Sequence, residues 1–114
     1  MFLEDRRFYV YFLVSSENNL PFYVGKGLEK RPYDHIRQAK KNLGKNTKKK
    51  AKIKKLLREG IDIKIFYVEK NLTEEEAFDK EIYWIKRIGL QNLTNLSPGG
   101  KGGDVIRFLE NKEE

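Results

Sequence analysis

The stretch "RRFYVYFLVSSENNLPFYVG", Arg6 to Gly25, decides the fold. Its first part, "RRFYVYFLV" (Arg6–Val14), is rich in β-branched and aromatic residues and reads as a strand. "SSENNLP" is turn-forming, and "FYVG" (Phe22–Gly25) is a second short strand. The two make a hairpin. Lys26-Gly27 then reads as a tight turn, and Pro32 suits the first turn of a helix from Pro32 to about Lys41.

The rest of the chain extends this start. "KNLGKN" is a basic linker, followed by a second helix from about Thr47 to Glu59. Ala51, Ile53, Leu56 and Leu57 give that helix a narrow apolar stripe, and Gly60 stops it. In "IDIKIFYVE", Ile61, Ile63, Ile65 and Tyr67 alternate with polar partners, the mark of a third strand. Thr73 and Glu76 form a capping box that opens a third helix, which runs to Ile88 with Gly89 as its stop. "LQNLTNLSPGGKGGD" reads as a loop or short strand, and "VIRFLENKEE" as a short terminal helix with a frayed acidic end. The order ββ-α-α-β-α predicts an α+β fold: a small three-stranded antiparallel or mixed sheet flanked by helices. A chain of 114 residues is expected to form one domain over 1–114.

Charge narrows the function. The net charge is +7, and from His35 to Arg58 there is no Asp or Glu. That span holds eleven Lys and Arg, leaving 13 basic and 17 acidic residues elsewhere. A localised basic stripe is the footprint of a polyanionic partner. A solvated helix face is the competing explanation, but such faces usually mix signs. No cysteine excludes disulfides, and a single histidine argues against an ordinary zinc site. No apolar run approaches a membrane span, and the start lacks a signal-peptide layout. The expectation is a soluble cytoplasmic protein without a membrane partner, with nucleoid association left open.

One acid is oddly placed. Winding the third helix at about 100° per residue puts Phe78, Ile82 and Ile85 on one side, flanked by Ala77, Trp84 and Ile88. Glu81 falls near the centre of this arc. A carboxylate there is costly unless it is paired or binds a metal. A structural salt bridge, with Arg31 or a lysine, and a metal-binding role both remain open. One carboxylate cannot cage calcium, but it suits magnesium, which keeps most of its waters.

These residues resemble the GIY-YIG nucleases. "YVY" (Tyr9–Tyr11) stands for the first family tripeptide and "YVG" (Tyr23–Gly25) for the second. "GKGLEKRPYDH" is similar to the family's arginine followed four residues later by a histidine or tyrosine. "EEAFDKEIYWIKRIG" resembles the metal-binding helix, and "NLTNLSPGG" the closing asparagine motif. Tyr9 departs from the leading glycine of the first tripeptide, which puts local packing in question rather than chemistry. Asn92 rivals Asn95 for the asparagine role, and Asn95 is preferred because it sits beside Leu96 just before the glycine loop.

The resemblance implies a divalent-metal-dependent endodeoxyribonuclease using Mg2+ or Mn2+, with catalytic residues Tyr11, Tyr23, Arg31, His35, Glu81 and Asn95. Glu81 would hold the metal, and Arg31 would bind the scissile phosphate. Tyr11 would be the general base for water or relay its proton, with Lys26 as a cation favouring the phenolate. His35 would take Tyr11's proton or orient it. Tyr23 would hydrogen-bond the nucleophile or phosphate, and Asn95 would support the site. Lys26, Lys48, Lys49, Lys50 and Lys52 are the expected substrate contacts. The expected partner is DNA, with RNA possible, and the chain acts as monomer or homodimer. Two alternatives stand beside this: a non-catalytic nucleic-acid binder on the same scaffold, and a small basic RNA-binding or ribosome-associated protein.

Overall fold

The computed structural model describes residues 4–96. β1 (Phe8–Ser15) and β2 (Leu20–Gly27) form the hairpin, followed by α1 (Arg31–Lys40), α2 (Lys48–Arg58), β3 (Ile63–Leu72) and α3 (Glu74–Ile88). A short 3-10 turn, Leu90–Asn92, follows α3. The glycine-rich loop beyond Leu96 and the terminal helix expected at "VIRFLENKEE" lie outside the described residues. The sheet order is β2-β1-β3, with both pairings antiparallel. The expected α+β fold is thus present, with an antiparallel sheet.

Side chains alternate across a strand, so β1 serves two cores. Tyr9, Tyr11 and Leu13 point to one face, where they pack with Ala39 of α1 and Ile53 and Leu56 of α2. Ile61, Ile63, Ile65 and Tyr67 line the same core, as their alternation predicts. Val10 points to the other face with Val24, against Ala77 and Ile85 of α3 and Leu93. The sheet is the middle layer between α1–α2 and α3. Among the described residues, no helix is long and apolar enough to cross a membrane.

Local chemistry sets the ends of these elements. Asn19 adopts φ 58° in the hairpin turn, where its backbone N–H donates to Ser15 O at 2.8 Å. Thr73 and Glu76 make both halves of the capping box, at 2.9 and 3.1 Å. Gly60 and Gly89 take positive φ at the ends of α2 and α3, as their stop roles require.

Three local expectations are corrected. Lys26 and Gly27 do not turn the chain. They continue β2, opposite Val10 and Tyr9, and the turn falls at residues 28–30. The edge position of β2 and the missing side chain of Gly27 let the strand run on beside α1. On α2, Ala51 is exposed while Lys50 is buried, so the stripe rests on Ile53 and Leu56. Tyr9 does not disturb the packing. Its ring meets Tyr67 edge-on at 5.0 Å, and its hydroxyl donates to Glu29 O at 2.7 Å, pinning the β2–α1 turn.

Candidate active site

The site is built on the face of β1 and β2 that carries α1 and α2. Tyr11 sits on the central strand opposite Gly25 and is almost wholly buried. A Cβ at residue 25 would stand 2.5 Å from the Tyr11 oxygen, so only glycine lets the phenol lie across β2. Gly27 does the same for α1: a Cβ there would meet Arg31 Cβ at 2.8 Å. The glycine pair therefore makes room for the tyrosine and the arginine.

His35, on the buried face of α1, is 2.8 Å through Nε2 from the Tyr11 hydroxyl. Tyr23 completes an aromatic triangle, its ring centroid 6.3 Å from that of Tyr11 and 5.6 Å from that of His35. The other nitrogen of His35, Nδ1, is 3.0 Å from Lys49 Nζ, which also lies 4.9 Å from the centroid of the Tyr23 ring. Arg31 opens α1 next to this group. It is exposed, and its positive charge reaches Tyr11, Tyr23, His35 and Lys49.

Burial and charge set the protonation states. Burial pushes the Tyr11 phenol far above its usual range; Tyr23, Tyr9 and Glu81 add to this and Arg31 opposes it. Burial, then the Glu81 charge, pushes Tyr23 up to about 12. Burial, then the neighbouring Lys49 and Arg31 charges, lowers His35 to about 4, with Asp34 opposing. His35 is thus a neutral imidazole at pH 7. Lys49 is lowered by burial and by Arg31.

Glu81 is half-buried on α3, and its charge is felt at both Tyr11 and Tyr23. Among the described residues, no three of His, Asp and Glu cluster as a protein-built metal cage. Both nitrogens of His35 are already engaged. A single carboxylate fits a hard, hydrated cation that takes its other oxygens from water and substrate. Glu81 fits that donor chemistry.

Asn95 braces the edge strand. Val24 N–H donates to its Oδ1 at 3.0 Å, and its Nδ2 donates to Val24 O at 2.8 Å. Thr94 N–H donates to Phe22 O at 2.7 Å, so residues 94–95 cover the free side of β2. Asn92 instead donates to Ile88 O at 2.8 Å, at the end of α3, which separates it from the site.

The lysines divide. Lys26 lies on the opposite sheet face, its Nζ 4.0 Å from the centroid of the Phe78 ring, so it is not the cation beside Tyr11. Arg31 and Lys49 stand there instead. Lys50 is only 6% exposed and donates to Gly44 O and Asn46 Oδ1, bracing the α1–α2 loop. Lys48 is exposed and Lys52 partly so. In the sequence Lys49 is one charge among several expected substrate contacts, and nothing local to it signals its contact with His35.

No curated protein and no solved structure matches the chain. The family model described as LEM-3-like GIY-YIG domain matches residues 19–113. β1 precedes that span, but Tyr11 is tied to it by pairing with Gly25 and by the bond to His35. With that match running over most of the sequence, the chain belongs to the GIY-YIG nuclease family.

Proposed function

We propose that the chain is an endonuclease that hydrolyses phosphodiester bonds of DNA, with a magnesium- or manganese-class ion held at Glu81. The observation that carries this reading is the convergence of Tyr11, Tyr23, Arg31 and His35 in one cluster, where Tyr11 and Arg31 fill the space that side chains at residues 25 and 27 would need. Family membership makes the protein nuclease-like at the coarse level; the substrate, the metal and the residue roles are the proposal.

Water attacks phosphorus, the P–O3′ bond breaks, and the 3′ oxygen leaves. Arg31 offers charge-assisted hydrogen bonds to the phosphate as negative charge builds. Tyr23 hydrogen-bonds the nucleophile or a phosphate oxygen. Tyr11 first gives its own proton to a solvent base, then takes, as the phenolate, the proton of the attacking water, and the leaving 3′ oxygen takes its proton from solvent. In the free protein Tyr11 is a neutral phenol, held so first by burial and only in the smallest part by the Glu81 charge. A divalent ion held by Glu81 would supply Lewis-acid stabilisation of the charge that builds during the reaction. With the Glu81 charge neutralised in this way, its contribution to keeping Tyr11 and Tyr23 protonated, smaller than that of burial, would fall away. Asn95 keeps β2 in register with the loop beside it. Lys48 stands exposed in the first turn of α2, with Lys49 and Lys50 turned inward beside it, although the positive end of a helix dipole disfavours cations. A polyanion laid across that turn would relieve the repulsion.

The test is nicking of supercoiled plasmid by the full chain with magnesium, with manganese and with excess EDTA. Metal-dependent nicking that disappears in Tyr11→Phe supports the reading. Cleavage that persists in EDTA, or that Tyr11→Phe leaves intact, overturns it. Tight DNA binding without cleavage under any divalent ion points to a non-catalytic binder.

A further inference from the structure

The histidine of this site has a lysine where a histidine acting as a base commonly has a carboxylate. Nδ1 of His35 is 3.0 Å from Lys49 Nζ, and Nε2 is 2.8 Å from the Tyr11 hydroxyl. The cavity behind the imidazole is lined by Gln38, Leu43, Thr47, Lys45, Lys49 and Lys50 among others, with no carboxylate. Asp34, the nearest acid in sequence, is engaged with Arg37 at 2.8 Å. We propose that Lys49 is a positioning residue: its ammonium donates to Nδ1, holds His35 as the Nε2–H tautomer, and makes His35 a hydrogen-bond donor to Tyr11.

The direction of both hydrogen bonds follows from the protons each group carries. A lysine ammonium carries donors and no acceptor, so Nδ1 must accept. A neutral imidazole holds one N–H, which therefore sits on Nε2 and points at the Tyr11 oxygen. The alternative, in which His35 takes the phenol proton, places an imidazolium 3.0 Å from an ammonium in a buried pocket. Burial and Arg31 oppose that second charge as well. His35 is thus a donor that holds the Tyr11 oxygen, with the Lys49 charge one ring behind it. The phenolic hydrogen is left for an acceptor other than His35, and the same Nε2–H stabilises the phenolate once that hydrogen is gone. The catalytic part of this proposal rests on the nuclease reading, whereas the hydrogen-bond chain does not.

His35 is the sole histidine, so 15N-histidine labelling of the full chain reports one imidazole. Two-bond 1H–15N correlation separates a protonated ring nitrogen from an unprotonated one. The expected wild-type pattern, shared by Lys49→Arg, is protonated Nε2 and unprotonated Nδ1. In Lys49→Glu a carboxylate replaces the donor, and Nδ1 is expected to gain a proton. Backbone amide spectra check that each variant is folded. A wild type with Nδ1–H, or a folded Lys49→Glu variant with unchanged ring nitrogens, overturns the assignment. In nicking assays Lys49→Met should lose about 10- to 100-fold in rate, as loss of an orienting partner does, with Lys49→Arg largely restored. DNA affinity should keep its salt slope in Lys49→Met. A slope reduced by about one unit with full activity would make Lys49 a phosphate contact and overturn the proposal. An inactive wild type with the expected tautomer would defeat the nuclease reading and the catalytic role of Lys49, leaving only the hydrogen bond.

Discussion

The oxygen of Tyr11 occupies the space that a side chain at residue 25 would need, 2.5 Å from the position of the absent Cβ. Tyr11 is nearly wholly buried, so its ring has little freedom to retreat. Gly25→Ala should push the phenol away from His35 and destabilise the domain by about 1–3 kcal/mol, the usual cost of overpacking. Nicking should fall about as far as in Tyr11→Phe, while DNA affinity holds. An alanine variant of unchanged stability and rate would show that Tyr11 is not held by this contact.

Tyr11 and His35 act as one unit in this arrangement. Tyr11→Phe should cost on the order of 10²-fold in rate, as loss of a positioned general base does. His35→Ala should add little on top of it, because residues that work together are not additive. A double-mutant cycle in single-turnover nicking measures this, and fully multiplicative losses would separate their roles.

The hairpin, the capping box and the α+β order were legible because each rests on local chemistry. Alternation along β1 and the Thr73–Glu76 pair need no tertiary information. The faces of Lys26 and Lys49 were not read. For Lys26 the signal was present: continuing the alternation of β2 past Gly25 puts Lys26 on the Val24 face, away from Tyr11. Treating Gly-Lys-Gly as a turn hid it. For Lys49 no local signal exists, since its meeting with His35 depends on how the α1–α2 loop sets two helices against each other. The glycine-rich loop beyond Leu96 lies outside the described residues.

His35 gives stability a pH dependence with a definite sign. Its folded value is lowered to about 4 from an ordinary 6.5, so between these values the unfolded chain binds more protons. Stability is therefore expected to be fully present above about pH 6.5 and to fall as pH drops toward 4. The loss should be about 2 kcal/mol, taking partial solvation into account. Urea unfolding at pH 7 and pH 5 checks this against His35→Gln, which should show a smaller difference. Equal pH dependence in both proteins would remove His35 as the cause.

The lysines of the acid-free span should separate by exposure. Lys48→Gln and Lys52→Gln should each lower the salt slope of DNA binding by about one unit if they meet phosphates. Lys50→Gln should leave that slope alone and lower the melting temperature, because its ammonium braces the Gly44–Asn46 loop. Fluorescence anisotropy across a salt series, beside thermal melts, distinguishes the two. A slope that ignores Lys48 and Lys52 would mean that this stripe is a solvated face.

Glu81→Gln tests the metal and the tyrosines together. Glutamine keeps the size of the side chain and removes the charge. If Glu81 anchors the cation, nicking should vanish while DNA binding in EDTA persists. The Glu81 charge also helps raise Tyr23 to about 12, behind burial. Its removal should lower the Tyr23 titration even in the absence of metal, which ultraviolet difference titration can follow. Melting decides between the two roles left open for this acid. A carboxylate kept for metal leaves stability unchanged or higher when neutralised, because a charge in a half-buried stripe is costly. Half of a structural ion pair behaves otherwise: its loss strands a cation, at about 3–5 kcal/mol for a buried pair and less where water reaches it. A variant that loses activity only in step with its melting temperature would remove Glu81 from the metal site. A folded, DNA-binding variant with a lowered Tyr23 titration and no nicking would tie the acid to both the cation and the phenols.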